Sequence, residues 1–322
     1  MIAKKVSYID TDIYLSAAEK LKLNIEIYDK EYSYCRIYND EKELYIRGIT
    51  LGVNNYVPIR TAENKHLTYR ILHKNDLPVP KQKLFEIDET DKIIGYCEQN
   101  FPVVIKPEDS SLGKGVTVNI NSTDEIEPAI QEVSLIGKKK VLVEDYVKGT
   151  DYRILIYRNK ILDVLKRIPP YVIGDGEKSI KELIASKNKE REKLRLKLIQ
   201  VDKTVENFLQ DQKLNLNSVL KKGHKVEVRP TCNFALGGET KRIDIKKIHP
   251  DTKKMFLEVF KYSKLNLCGI DYITENIYES YKKVGGYINE NNGCPNIYIH
   301  YFADMKESLQ IPKKILKMFF KL

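Results

Sequence analysis

Short apolar runs alternate with longer amphipathic stretches along the chain, and this pattern predicts both strands and helices. A helix is predicted near residues 13–22, followed by three strands in "NIEIYD", "YCRIYN" and "ELYIRGI", which are rich in β-branched and aromatic residues. Residues 1–60 are therefore expected to form a small mixed lobe.

The next part of the chain continues this alternation. "ENKHLTYRILHKND" predicts a helix with Leu67, Ile71 and Leu72 on one face, ending before Pro78. "FPVVIKP" and "GVTVNI" predict strands, and "STDEIEPAIQEV" predicts a helix with an N-terminal capping signal. Residues 61–147 are expected to form a central lobe.

Residues 148–322 are expected to form a third lobe. "DYRILIY" and "ILDVLKRI" predict a hairpin, residues 177–215 predict one long charged helical stretch, and "KVEVRP", "LCGIDYIT" and "GGYINEN" predict later strands. The mixture indicates an α+β protein with no internal repeat.

Composition narrows the functional classes. Lys and Arg number 55 against 45 Asp and Glu, but the lysines are dispersed as on solvated faces, so we expect no nucleic-acid partner. Five separated cysteines without a CxxC pair indicate reduced thiols, and no apolar run reaches the length of a membrane helix. A cytoplasmic location without a membrane partner is expected.

The segment "KPEDSSLGKGVTV" is a candidate phosphate loop. Ser110, Ser111, Gly113 and Gly115 would let backbone N–H groups approach an anion, although the segment matches neither the Walker A loop nor the dinucleotide fingerprint. Lys106 ends an apolar strand just before the loop, where an ammonium group needs an anionic partner. A flexible lid over phosphates and a plain turn are both open.

The segment "VLVEDYVKGTDYR" is a candidate adenosine site. Backbone groups from Glu144 through Asp145 and Tyr146 to Val147 could read an adenine edge, and Asp151 could accept ribose hydroxyls. A linker with solvated acids is the alternative. In the hairpin that follows, Arg153 and Arg167 are expected near the same end of adjacent strands, where an anion would relieve their repulsion.

The segment "INENNGCPN" raises the question of a metal site. Glu290 and Asn292 share one strand face, and Asp271 lies on the strand-like "CGIDYI", which a long connection allows to pair antiparallel. Three oxygen donors would suit Mg²⁺ or Mn²⁺. From spacing alone, a polar strand end accounts for these residues better than a metal site does.

In their order along the chain, these segments resemble the ATP-grasp ligases, and especially the ATP-grasp part of cyanophycin synthetase and of the bifunctional glutathione-forming ligases. The resemblance is carried by "FPVVIKPEDSSLGKGVTV", "VLVEDYVKGTDYRILIY", "VRPTCNFALGG", "CGIDYI" and "GGYINENNGCPNIYIH". It implies an ATP-grasp fold, with the nucleotide held between two α+β lobes beside the small N-terminal lobe. It also implies an ATP-dependent carboxylate–amine ligase that works through an acyl phosphate.

The resemblance also implies site residues, position by position. Lys65 and Lys106 would contact ATP phosphates beneath a loop that includes Lys114, the 144–147 segment with Asp151 would hold adenosine, and Mg²⁺ or Mn²⁺ would bind the three oxygen donors. Arg153 and Arg167 would lie beside the transferred phosphoryl group. The residues that would border the acyl substrate are Arg229, Asn233, Gly237 and Gly238.

The chain departs from the family pattern near the substrate. Asn296 replaces a usual glycine, Asn64 replaces the acid before the first ATP lysine, and "GGETKRID" replaces "GGTAID". Small-molecule or peptide carboxylates and amines are expected as substrates, homo-oligomer formation is left open, and a non-catalytic nucleotide-binding module is the alternative.

Overall fold

The computed structural model describes residues 3–109, 114–304 and 308–322. Its helices are α1 (Ile9–Lys20), α2 (Tyr56–Glu63), α3 (Lys65–Lys74), α4 (Thr90–Glu98), α5 (Ile126–Leu135), α6 (Ile180–Lys193), α7 (Lys203–Asp211), α8 (Pro250–Ser263), α9 (Tyr281–Val284), α10 (Tyr298–Phe302) and α11 (Gln310–Phe320). Single turns of 3₁₀ helix cover Thr123–Glu125, Phe234–Leu236 and Ile245–Lys247.

The strands are mostly antiparallel and short. They are β1 (Asn24–Asp29), β2 (Tyr34–Tyr38), β3 (Glu43–Arg47), β4 (Thr50–Leu51), β5 (Gln82–Glu86), β6 (Val103–Pro107), β7 (Thr117–Ile120), β8 (Lys140–Asp145), β9 (Thr150–Tyr157), β10 (Lys160–Ile168), β11 (Tyr171–Ile173), β12 (Lys225–Glu227), β13 (Glu239–Arg242), β14 (Leu267–Thr274) and β15 (Tyr287–Asn292). The predicted α+β class is confirmed.

The described chain forms two compact units, and each is assembled from separate segments. One unit contains residues 1–49, 165–242 and 296–322, and the other contains residues 50–164 and 243–295. The boundary falls inside β10, so this strand contributes residues to both units.

The second unit contains two sheets. The first has the order β5-β8-β6-β7 and is covered by α4 and α5, whose apolar faces bury Ile93, Ile126 and Val133 against it. The other pairs β9 with β14 and β14 with β15, and α3 and α8 pack on its core. The predicted hairpin is present, because Arg158 and Asn159 form the tight turn between β9 and β10 with φ values of 46° and 60°.

The first unit contains the antiparallel sheet of β1, β2 and β3, the pair β11–β12 with α6 and α7, and the helices α1, α10 and α11. The prediction of one helical stretch over 177–215 is wrong. α6 ends at Lys193, and Arg195 has a left-handed φ of 58°, which breaks the helix. α7 begins at Lys203, after Asp202 caps it with its side chain.

None of the helices in the described ranges is long and apolar enough to cross a membrane.

Candidate active site

A cavity in the second unit brings several of the sequence-predicted residues together. Its empty volume is about 360 Å³. The lining residues come from α2, α3, the segment leading into β5, and β5, β6, β8 and β15: Ala62, Lys65, Thr68, Tyr69, Leu72, Val79, Pro80, Gln82, Lys106, Glu144, Ile288, Asn289, Glu290 and Asn291. Candidate phosphate ligands and a candidate metal ligand therefore face one space.

Lys106 is positioned by β6, all five residues of which are buried. Its side chain forms an ion pair with Glu144 on the neighbouring strand β8, with Nζ 2.5 Å from Oε1, and each residue is only 5% exposed. A buried ammonium group needs such a partner. The anionic partner that the sequence required for Lys106 is thus a carboxylate of the protein, at the cavity wall.

Lys65 is the first residue of α3, a helix whose N-terminus is capped by Asn64 through a 2.7 Å bond from the Leu67 N–H. Burial lowers the pKa of Lys65, while the nearby carboxylates of Glu290 and Glu144 raise it. Lys65 therefore lies within electrostatic reach of the cavity carboxylates, and burial disfavours its charge unless an anion is close.

The three predicted metal ligands lie on the paired strands β14 and β15. Asp271 is directly opposite Glu290, and Asn292 is opposite Gly269 two positions along. A β-bulge at Asn289 interrupts the register just beyond Asp271. Glu290 and the bulged Asn289 both line the cavity, and Ile288 lines it as well while belonging to the hydrophobic core.

This donor set fits a hard divalent cation. Two carboxylates and one amide oxygen at the end of a strand pair are the oxygen ligands that Mg²⁺ and Mn²⁺ take. Asn292 donates from Nδ2 to the Gly269 carbonyl at 3.3 Å, which orients the amide and directs its oxygen away from that carbonyl. Within the described ranges no group of three or more His, Cys, Asp or Glu forms a separate metal cluster.

Arg153 lies beside the metal-ligand candidates. Its Nε is 2.6 Å from Oδ1 of Asp271, and the two residues face each other on β9 and β14. Both are buried. Gly269 makes room for this guanidinium, because a Cβ at position 269 would overlap Nη1 of Arg153. A positive group that contacts a metal ligand is suited to stabilising charge on a transferred phosphoryl group.

The candidate adenosine segment follows β8. The N–H of Asp145 donates to the Lys81 carbonyl at 2.9 Å, and the N–H of Tyr146 donates to the Pro102 carbonyl at 3.0 Å. These two donors are committed to the fold, which leaves Val147 as the candidate N–H for an adenine edge. Asp151 is the second residue of β9, opposite Ile273.

The candidate phosphate loop is described only in part. Ser110, Ser111 and Gly113 lie outside the described residues. Lys114 is exposed, and Gly115 has a φ of +66° with Ile136 packed close to its Cα. The flanking strands β6 and β7 pair antiparallel, as the hairpin prediction requires.

The remaining predicted residues lie in the first unit. Arg229 is buried, donates to the Gln200 carbonyl at 3.0 Å, and pairs with Asp202. Arg167 lies on β10 opposite Thr240 of β13.

The last three predicted substrate residues, Asn233, Gly237 and Gly238, lie in one tight loop. The Oδ1 of Asn233 accepts the Ala235 N–H at 2.9 Å, and its carbonyl accepts the Gly238 N–H at 3.0 Å. Gly237 has a φ of +109°, and a Cβ there would overlap Ile199. The backbone geometry of the loop is enough to explain why asparagine and glycine occupy these positions. A substrate role for the three residues stays a prediction.

Sequence reasoning missed two buried polar residues. Arg191 of α6 donates to the carbonyls of Lys197 and Phe234 at 2.7 and 2.8 Å, and so holds the loop of Asn233 in place. Asn291 is 2% exposed and lines the cavity, and its Oδ1 has no hydrogen-bond partner among the described residues. The charged run around Arg191 reads as a solvated helix face, and nothing in the sequence marks it as buried.

Comparison with known proteins identifies a family for part of the chain. Residues 62–171 match the RimK-like ATP-grasp domain family. The chain therefore contains an ATP-grasp domain of the RimK-like type.

The full chain is similar to two kinds of larger protein. It is 31% identical over 322 residues to glutathione biosynthesis bifunctional protein GshAB of Clostridium perfringens, covering 97% of this chain and 41% of that protein. It is 35% identical over 287 residues to cyanophycin synthetase of Crocosphaera subtropica, covering 84% of this chain and 32% of that protein. This chain thus spans less than half the length of these relatives.

A solved structure supports the fold. The bifunctional glutathione synthetase of Pasteurella multocida superposes with a TM-score of 0.70 at 24% identity, covering 99% of this chain and 44% of that one. The predicted ATP-grasp fold is confirmed.

Proposed function

We propose that this protein is an ATP-dependent ligase that joins a carboxylate to an amine through an acyl phosphate. The observation that carries the proposal is the cavity where Lys65 and Lys106 meet Glu290, the strand partner of Asp271. Positive groups for phosphates and oxygen donors for a cation thus border one space, as nucleotide-dependent phosphoryl transfer requires. The names of the relatives are consistent with this chemistry.

The nucleotide would be held by groups of the second unit. Lys65 and Lys106 would bind phosphate oxygens. The Lys106 ammonium would exchange its contact with Glu144 for a contact with phosphate. Val147 would read the adenine edge and Asp151 the ribose hydroxyls. The loop with Ser110, Ser111, Gly113, Lys114 and Gly115 would cover the phosphates.

Asp271, Glu290 and Asn292 would hold Mg²⁺, with Mn²⁺ as the alternative. The chemistry that such a cation would supply at these residues is neutralisation of phosphate charge. Arg153, which contacts Asp271, would add a positive group beside the phosphoryl group during its transfer.

The reaction needs no nucleophile from the enzyme. A carboxylate oxygen of the first substrate forms a bond to the γ-phosphorus, and the bond to the bridging oxygen of ADP breaks. The amine of the second substrate then attacks the acyl carbon, the carbon–phosphate oxygen bond breaks, and the ammonium proton leaves. The products are an amide, ADP and phosphate.

The acyl substrate would be bordered by the residues that the family resemblance implies. We assign this role to Arg229, Asn233, Gly237 and Gly238, because the buried guanidinium of Arg229 and the close-packed glycines suit a carboxylate and a nearby backbone. Arg167 is proposed to lie beside the transferred phosphoryl group. The acceptor is proposed to be an amino acid or a small peptide.

A screen for Mg·ATP-dependent phosphate release over pairs of amino acids and dipeptides, with mass spectrometry of the products, tests the proposal. An amide product together with ADP is expected, and hydroxylamine should trap the acyl phosphate as a hydroxamate. ATP binding without ADP formation across the whole panel would instead favour a non-catalytic nucleotide-binding module.

The proposal also covers the compartment and the partners of the protein. None of the five cysteines, all of which are described, forms a disulfide, which suits a reducing compartment such as the cytoplasm. Small carboxylates and amines are the proposed partners, rather than nucleic acid or membrane.

A further inference from the structure

The side chain of Asn54 uses all of its hydrogen-bonding capacity on the ends of the two metal-ligand strands. Its Nδ2 donates to the carbonyls of Leu267 and Gly293, both at 2.7 Å. Its Oδ1 accepts the N–H groups of Asn266 and Leu267 at 2.6 and 2.9 Å. An amide has two donors and two acceptor lone pairs, so the group is fully satisfied.

These four hydrogen bonds lie where the backbone hydrogen bonding between β14 and β15 has ended. Leu267 begins β14, and the last pair between β14 and β15 joins Gly269 to Asn292. Beyond Asn292 the chain runs through Gly293 towards Pro295, which has no N–H to donate. Asn54 therefore ties the strand ends together one residue past the final pair.

The surrounding contacts keep Asn54 and the strand end close. A Cβ at Gly293 would lie 3.1 Å from the Cα of Ile59 in α2, so the helix backbone packs directly on this turn. Asn266 also donates from Nδ2 to the Val53 carbonyl at 2.7 Å. The segment before α2 is thus joined to β14 by two side chains, but only Asn54 reaches Gly293 as well.

We propose that Asn54 is a positioning residue that, through the Gly293 carbonyl, fixes the position of Asn292 relative to Asp271. The inference rests on the proposed function, since it takes Asn292 and Asp271 as ligands of a cation bound with nucleotide. Groups that orient metal ligands typically change metal affinity about 10- to 100-fold when they are removed. Release of the Gly293 carbonyl would let the end of β15 move, and Asn292 with it.

Two substitutions of Asn54 separate this role from simple packing. Asn54→Ala removes all four bonds. Asn54→Asp keeps the shape and the acceptor oxygen for Asn266 and Leu267, but loses both donors and faces the carbonyls with an oxygen. Asn266→Ala is the matched control, because it breaks the bond to Val53 and leaves Asn54 intact.

The measurements are Mn²⁺ affinity by electron paramagnetic resonance in the presence of ADP, and ADP affinity in EDTA, on the full chain. Both Asn54 variants should bind Mn²⁺ at least about 10-fold more weakly. Their metal-free ADP affinity should stay within about twofold, because the lysines and the adenine segment are untouched. Asn266→Ala should match the wild type in both measurements.

Several outcomes would overturn the inference. Unchanged Mn²⁺ affinity in a folded Asn54 variant would do so, as would an equal loss of metal-free ADP affinity or an equal effect of Asn266→Ala. Loss of cooperative unfolding in both Asn54 variants, with Asn266→Ala folded, would assign Asn54 to the fold alone. A wild type that binds Mn²⁺ and ADP but joins no substrates would contradict the ligase proposal and leave the Asn54 result intact.

Discussion

Two sets of buried charges in this molecule have different kinds of partner. In the unit with the cavity, charge faces charge: Lys106 contacts Glu144, and Arg153 contacts Asp271, in each case across neighbouring strands. In the other unit, the guanidinium of Arg191 is bound to two backbone carbonyls. A side-chain ion pair can open when a phosphate or a cation offers a better partner, whereas a backbone carbonyl has no comparable alternative.

The same contrast holds for a buried carboxylate. Asp10 in α1 accepts the N–H groups of Ile297 and Tyr298 at 2.6 and 3.2 Å, and so anchors the start of α10. Asp271 instead contacts a guanidinium and lies opposite Glu290. The comparison indicates that Arg191 and Asp10 serve the fold, whereas we propose that the ion-paired groups Lys106, Glu144, Arg153 and Asp271 serve ligands.

Removal of Lys106 should have the largest effect. Lys106→Ala takes away a phosphate contact, so ADP release should fall about 10²- to 10³-fold. Steady-state ADP release with saturating Mg·ATP measures this, and Lys92→Ala, at an exposed lysine of α4, is the control. ADP release at the wild-type rate would show that Lys106 does not serve the nucleotide.

Arg191→Leu tests the opposite side of the comparison. It leaves two buried carbonyls without donors, so we expect a loss of about 3 kcal/mol in the free energy of unfolding. Urea denaturation measures the loss, with the exposed neighbour Lys189→Leu as control, and ADP affinity should be unchanged. A weaker nucleotide affinity at wild-type stability would contradict the assignment of this charge to the fold.

Asp10 gives a prediction about pH. Burial raises the pKa of Asp10 to about 6 from its ordinary 3.8, against the lowering effect of the Tyr298 and Ile297 N–H groups. The folded protein then holds this proton more tightly than the unfolded chain, so its contribution to stability falls as pH rises from about 4 to about 6.

Asp10→Asn should remove this dependence. Relative to the variant, the wild type should lose roughly 2 to 3 kcal/mol of unfolding free energy between pH 4 and pH 7. Urea titrations across this range measure the difference, and Asp40→Asn at an exposed position should show none of it. Parallel pH profiles of wild type and Asp10→Asn would refute the prediction.

Asn291→Leu should give the smallest change, and it tests whether a buried polar group at the cavity serves a ligand or the fold. A leucine of similar size removes a buried oxygen that has no partner among the described residues, so stability should rise by about 1 kcal/mol. Thermal and urea unfolding measure the gain, and ADP affinity shows whether the amide serves a ligand. A destabilised variant would mean that the Asn291 amide supports the fold.

Local signals predicted much of the fold and part of the site. The hairpin of β9 and β10 and the strand that contains Lys106 follow from apolar runs and turn residues close in sequence. The break after α6 was missed although Asp202, a good N-cap, precedes α7 and could have revealed it. The three consecutive lobes remain a prediction, and the discontinuous compact units are a different division of the chain.

Partners distant in sequence could not be predicted. The need of Lys106 for an anion was inferred, but the identity of Glu144 depends on the register of β6 and β8, which local residues do not specify. Asn54 carries no periodic signal, and its bonds to Leu267 and Gly293 exist only once the strands are assembled.

The discontinuity of the compact units has a consequence for the order in which the chain can fold. The first unit joins residues 1–49 to residues 296–322, and Asp10 finds its partner Ile297 across 287 positions of sequence. During synthesis at the ribosome, α1 must therefore wait for α10 and α11, while β14 and β15 emerge earlier. Contacts of such long range are slow to form, so the second unit should acquire protection from hydrogen exchange before the first.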